Sequence, residues 1–266
     1  MRNLLISGLL VVVAPLGAVA GVGQQTPKDR LLALQKEYEA ARKSTSDVSK
    51  VTKEFAARFL ELAEQSPADS ASVEALTWVI ERCLFDPSSD KAVDLLIKHH
   101  LQRRQLAAVV RFLAFYGGGA AEKLFRAAID RSRDSETVAW AHFGLAQRLR
   151  LKAQQSKTAD AEPNQLLREA EKHYEIVAEK HADIQPPEEF MKRLAVGVGE
   201  VASKYGGIWP AGCSLGDMAK NELFVLRNLA IGKAAPDIEG EDIDGARFKL
   251  TDYRGKVVVL DFWGHW

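Results

Sequence analysis

The sequence predicts a mainly α-helical chain of helical hairpins in solenoid-like order. Near Gly232 it changes into the opening elements of an incomplete α/β domain. Three observations carry this. Apolar residues recur at spacings of three and four from Thr26 to about Ile231. Breakers at Pro67, Asp86-Pro87 and Gly117-Gly118-Gly119 cut that region into short segments. Beyond Gly232 come a hairpin signal at Asp244-Gly245 and a β-branched run from Val257.

The N-terminus comes first. Arg2 precedes an almost wholly apolar stretch from Leu4 to Val13, and Ala18-Val19-Ala20 supplies small residues for cleavage. A positive start, a short apolar run and an A-x-A end describe a secretory signal peptide over residues 1–20. Pro15 and Gly17 interrupt the run, which is short of the roughly 20 residues a bilayer span needs. Export to the periplasm or cell envelope of a bacterium is the expectation.

Residues 21–231 read as a helical domain. Thr26-Pro27 opens a helix to about Lys43, with Leu31, Leu34, Tyr38 and Ala41 on one face. The second carries Val48, Val51, Phe55, Phe59 and Leu62; the third Val73, Leu76, Ile80 and Cys83. A fourth follows Ser88-Ser89 with Ala92, Leu95 and Leu96. The fifth carries Leu106, Val109, Val110 and Leu113 up to the three glycines. The sixth runs from Ala120 to Ile129, and the seventh starts at Asp134-Ser135 with Glu136 as a first-turn acid. Gln154 to Asn164 reads as a loop and Gln165 to His181 as helix eight. Pro186-Pro187 precedes a ninth helix containing Phe190, and Asp217 to Leu229 is the last. Such arrays bind protein or position a neighbouring domain and need carry no chemistry.

Composition narrows the functions. At 47% hydrophobic and 27% charged, the chain is globular. Lys+Arg 36 against Asp+Glu 36 gives no global attraction to nucleic acid. Two cysteines exclude a disulfide framework and a four-cysteine metal site. Cys83 continues an apolar stripe as a small hydrophobe, and Cys213 lies in a Gly-rich loop; their spacing gives no support for a bridge. His99-His100 are adjacent, so they point to different helix faces and cannot chelate together. Gly197-x-Gly199 lacks the preceding strand and third glycine of a dinucleotide loop.

From Gly232 the pattern is different. Asp244-Gly245 is a hairpin turn, Ala246 to Leu250 a short strand, and Tyr253-Arg254-Gly255-Lys256 a tight turn. Val257 to Leu260 has the composition of a strand buried on both faces. The ordered set is G-K-x-A-P-D-I at 232–238, D-x-D-G at 242–245, F-x-L-x-D-Y-R-G-K at 248–256 and V-V-V-L-D-F-W-G-x-W at 257–266. It resembles the start of a thioredoxin-like redoxin domain. The family is the alkyl hydroperoxide reductase and thiol-specific antioxidant superfamily, in its periplasmic thiol–disulfide oxidoreductase branch.

That resemblance implies thiol–disulfide exchange or peroxide reduction, with F-W-x-x-W favouring exchange. Partners would be protein thiols or disulfides of exported proteins and a membrane or periplasmic electron donor, with no nucleic acid, metal or cofactor. Asp261 matches the buried acid that helps deprotonate the resolving thiol; the alternative is an acid at a solvated rim. Trp263 and Trp266 match the aromatic positions before the redox motif, Trp263 in the core and Trp266 on the surface that meets partner disulfides.

The resemblance places Cys-Gly-Pro-Cys directly after Trp266, and neither cysteine of that motif is in this sequence. Residues 232–266 are therefore expected to be the N-terminal part of a truncated redoxin domain, inactive as it stands. Three readings of the end stay open: an incomplete or mis-called sequence, a UGA codon read as selenocysteine, and a stop mutation. Without a sheet to join, the run from Val257 is expected to be an exposed edge. The alternative function is a non-catalytic exported helical protein-binding scaffold with a vestigial redoxin tail.

Overall fold

A computed structural model describes residues 25–155, 161–197, 212–229 and 232–261. The expected signal peptide at 1–20 lies outside the described residues. No helix among those described is long and apolar enough to cross a membrane.

Helix starts follow from short polar side chains that satisfy free N–H groups. Thr26 and Asp29 form a capping box at α1 (Pro27–Lys43). Asp47 caps α2 (Val48–Gln65), Asp69 caps α3 (Ser70–Arg82), and Asp86 caps α4 (Pro87–His99). The fourth helix thus starts at Pro87, ahead of the expected Ser88-Ser89, because Pro fits the first helical position. α5 (Leu106–Tyr116) ends at Gly117, whose φ of 79° suits a residue without a Cβ. α6 (Ala121–Arg131) and α7 (Ser135–Gln155) follow. α7 runs on to Gln155 and α8 spans Ala161–Lys180, so both ends of the loop expected over 154–164 are helical, and 156–160 lie outside the described residues. The reason is propensity: Lys152 to Gln155 and Ala161-Glu162 are good helix formers, and Pro163 is tolerated in a first turn.

After α9 (Glu188–Gly197), α10 (Leu215–Phe224) starts on a Ser214–Asp217 capping box, two residues earlier than expected. It continues as a π turn over Val225–Leu229. The glycine-rich loop read before it lies mostly outside the described residues.

The helices pack in two layers. α1, α3, α5 and α7 touch in succession; so do α2, α4 and α6 behind them. From α1 to α8, each odd helix also packs on the even one that follows, as in an α-solenoid. α7 lies against α5, α6 and α8, and is buried nearly all round from Thr137 to Ala146. Trp140, Phe143, Tyr174, Phe59 and Phe125 are the largest fully enclosed side chains. Each removes about 1.5–3 kcal/mol of apolar surface cost from water. At Gly144 a Cβ would stand 2.6 Å from Phe125 Cζ, so glycine is what lets α6 approach α7.

α10 docks on α8, and its first turn is fixed by backbone. Leu215 N–H donates to Ile184 O at 2.8 Å and Gly216 N–H to Ala182 O at 3.3 Å. Arg227 in the π turn reaches Glu171 at 2.5 Å and also pairs with Glu175, both on α8.

Candidate functional site

The segment singled out by its motifs folds as a small braced hairpin. β1 (Glu239–Glu241) pairs antiparallel with β2 (Arg247–Lys249) in the register Glu239↔Lys249, Gly240↔Phe248 and Glu241↔Arg247. The turn is built by Asp242. Its Oδ1 accepts from Asp244 N–H and Ala246 N–H at 2.9 Å each, while its carbonyl accepts from Gly245 N–H at 3.0 Å. Gly245 has φ 79°, which explains the glycine in D-x-D-G. The Phe248 ring lies over Gly240, where a Cβ would come within 3.0 Å of it.

Two further motif acids fasten the ends. Asp237 accepts the Thr251 N–H and the Thr251 hydroxyl, each at 2.9 Å. These bonds, the backbone N–H first, hold its carboxyl below the usual range. Asp252 accepts the Lys249 N–H at 2.9 Å and opens a 3₁₀ turn over Leu250–Tyr253. Gly255, at φ 83°, closes the turn expected there, with Lys256 N–H donating to Tyr253 O.

The run from Val257 to Leu260 joins no ladder among the described residues, and Val257 is 98% exposed. The strand expected there has no neighbour to pair with: the described sheet has two strands, β1 and β2. Asp261 is exposed as well. Trp263 and Trp266 lie outside the described residues, so the three expected site residues are not seen together.

Both cysteines are free thiols. Cys83 is buried at the C-terminal cap of α3, and burial pushes its thiol up. Cys213 precedes the Ser214 cap of α10, a place where helix N–H groups can favour thiolate. Here the Ser214 hydroxyl takes the Asp217 N–H, and the Met218 N–H is the helix donor that favours the thiolate. Burial, then the nearby Asp217 carboxylate, push the Cys213 thiol up. Neither thiol is set up as a nucleophile.

Sequence reasoning passed over the buried polar groups of α7 and α8. His142 and His173 meet Nδ1 to Nδ1 at 2.7 Å. Tyr174 donates its hydroxyl to Gln147 at 2.8 Å, and Arg150 also donates to Gln147 at 3.1 Å. Glu222 of α10 lies 3.2 Å from Arg150 Nη1, without hydrogen-bond geometry, and burial raises its carboxyl. On the odd-helix face, Phe190 of α9 packs against Phe115 and Trp140 and under the Arg111 guanidinium, 5.1 Å from its ring centre. No spacing rule links residues this far apart in the chain. His99 and His100, which are adjacent, divide as expected: His99 is exposed and His100 buried. Among the described residues no three His, Cys, Asp or Glu side chains are grouped to hold a metal ion.

Comparison with known proteins gives short local similarity. The chain is 53% identical over 38 residues to the thiol-disulfide oxidoreductase ResA of Geobacillus thermodenitrificans (strain NG80-2), covering 14% of this chain and 22% of that one. It is 40% identical over 55 residues to the thiol-disulfide oxidoreductase ResA of Bacillus subtilis (strain 168), covering 20% and 31%. The chain therefore spans less than a third of the length of these relatives. No protein-family model matches it, and no solved structure does. What this supports is a local likeness to thioredoxin-like thiol–disulfide oxidoreductases over a small part of the chain.

Proposed function

We propose that the protein is an exported thiol–disulfide oxidoreductase of thioredoxin-like type, with its helical domain ahead of a redoxin domain of which residues 232–266 are the first part. The observation that carries this is the local identity to thiol–disulfide oxidoreductases. The motif series 232–238, 242–245 and 248–256 supports it, since its acids Asp237, Asp242 and Asp252 each do a definite job in the hairpin.

The chemistry proposed is exchange with protein substrates. A thiolate attacks one sulfur of a partner disulfide, the other sulfur leaves as thiolate, and a second thiol resolves the mixed disulfide. Two electrons and two protons pass from the dithiol to the partner. Cys83 and Cys213 supply neither thiol, being far apart in sequence and pushed away from thiolate. The nucleophile, cysteine or selenocysteine, belongs after Trp266 in this reading, with Asp261 as supporting acid and Trp263 and Trp266 beside it.

Insulin reduction tests it. The 266-residue chain is expected to show no dithiol-dependent turnover, and the chain extended by Cys-Gly-Pro-Cys and a full redoxin domain is expected to gain it. An extended chain that folds and stays inactive overturns the proposal. One observation favours a second reading in that event: the two-layer helical array, a shape suited to holding a protein partner, with no activated thiol of its own.

A further inference from the structure

His142 of α7 and His173 of α8 form a half-buried pair of titratable rings across the α7–α8 seam. His142 is 8% exposed, and its ring and that of His173 lie 4.9 Å apart between centres. An Nδ1–Nδ1 distance of 2.7 Å admits one proton between the two nitrogens. One ring must donate Nδ1–H and the other must keep Nδ1 bare. We propose that this pair is an acid-sensitive latch: it closes the α7–α8 seam while one Nδ1 is unprotonated, and it opens the seam when that nitrogen takes a proton.

The surroundings assign the roles. His173 Nε2 lies 3.9 Å from Glu169 Oε1, so His173 can carry a proton there and still donate Nδ1–H to His142. A first proton on the pair thus keeps the bond. A second must land on His142 Nδ1, where it would face another N–H at hydrogen-bond distance, and the rings must part.

Charges around the pair oppose that second proton. Lys180 at the end of α8 and the His181 that follows it lower His142, whereas Glu169 of α8 favours a proton on His173. From α6, Arg126 acts on His173 and shares Glu169 at 3.1 Å. Other charges on and beside these helices pair elsewhere: Arg111 with Glu136 between α5 and α7, Lys152 with Glu122 of α6, Arg150 with Glu222 of α10, and Arg227 with Glu171 and Glu175. Burial first, then His173, pushes His142 down to about 4, and burial lowers His173 too.

The sign follows. Unfolded imidazoles take protons near pH 6.5, and the closed seam refuses them. Closure is therefore fully favoured above that pH and weakens as pH falls toward about 4. α10 docks on α8, so an open seam also loosens the element that leads to residue 232. This inference does not rest on the thiol–disulfide reading.

Amide hydrogen exchange on the full chain, corrected for intrinsic rates, tests it. Between pH 7 and pH 5 the opening equilibrium of 139–150 and 166–178 is expected to rise roughly 20-fold for one refused proton. His142→Gln and His173→Gln should flatten that rise, while His99→Gln, on an exposed residue, should leave it intact. An equal rise in wild type and both Gln variants overturns the latch. Ring NMR of wild-type His142 needs no variant: titration near the ordinary 6.5 would overturn it as well.

Discussion

Asp237 accepts both the N–H and the hydroxyl of Thr251, tying the start of the C-terminal segment to the 3₁₀ turn that follows its second strand. The two residues are 14 apart in sequence, and the hairpin lies between them. A two-stranded hairpin is marginal in water without further support. This brace, with the Leu250 N–H to Ile238 O bond, supplies part of it.

Asp237→Ala is therefore expected to speed exchange at the Thr251 amide and to blur the hairpin's cross-strand NMR contacts. The helical domain should melt unchanged. Acid should mimic the variant only below the ordinary carboxylate range, because the bonded carboxyl sits lower still. An unchanged Thr251 amide would show that the brace does not order the segment.

Gly144 and Phe125 set the spacing of α6 and α7. A methyl at 144 points into a fully buried ring at 2.6 Å. Alanine's better helix propensity is worth about 1 kcal/mol, and the overpacking costs about 1–3 kcal/mol. The clash should win because Phe125 has no exposed side to move toward. Gly144→Ala should lower unfolding free energy in urea, and Phe125→Leu should restore part of it in the double variant. Purely additive losses would mean the two residues do not meet.

Phe190 anchors α9 through an aromatic cage rather than a hydrogen-bonded seam. Its ring contacts Phe115 and Trp140 and lies under Arg111. Phe190→Leu keeps apolar bulk and loses the cation–π contact, worth about 0.5–2 kcal/mol. Faster amide exchange across 188–194 is expected, with α7 and α8 little changed. Equal loss of protection in α7 would place Phe190 in the main core.

The helical part of this chain is legible because its signals are local. Thr26-Pro27, Asp86-Pro87 and Gly117 each act within one turn, and each marks a helix end in the structure. Where the reading slipped, residues had two uses. Asp217 looked like a first residue but is the third-position partner of Ser214. Val257 to Leu260 reads as a buried strand by composition, yet strand pairing is non-local and no described neighbour offers a ladder. The His142–His173 pair is the clearest loss. Each histidine alone is an ordinary helix residue, and only the approach of α7 to α8 makes them one group. For the segment after Gly232, motif order carried the family likeness, while the exposure of Asp261 needed coordinates.

Glu222 and Arg150 join α10 to α7 with a carboxylate that is almost out of water. Burial raises the Glu222 carboxyl, so the folded state binds its proton more readily than the unfolded chain does. This group alone therefore makes the fold more stable as pH falls toward the ordinary glutamate range, opposite in sign to the histidine pair. Glu222→Gln removes the buried charge and keeps the shape, so stability at neutral pH should hold or rise. Arg150→Ala strands the carboxylate and should cost about 3 kcal/mol. The double variant should recover most of that loss, since the uncompensated charge has gone with its partner. Urea unfolding of the four proteins at pH 7 measures the cycle. A Glu222→Gln loss as large as that of Arg150→Ala would mean that attraction, rather than relief of a buried charge, holds α10 in place.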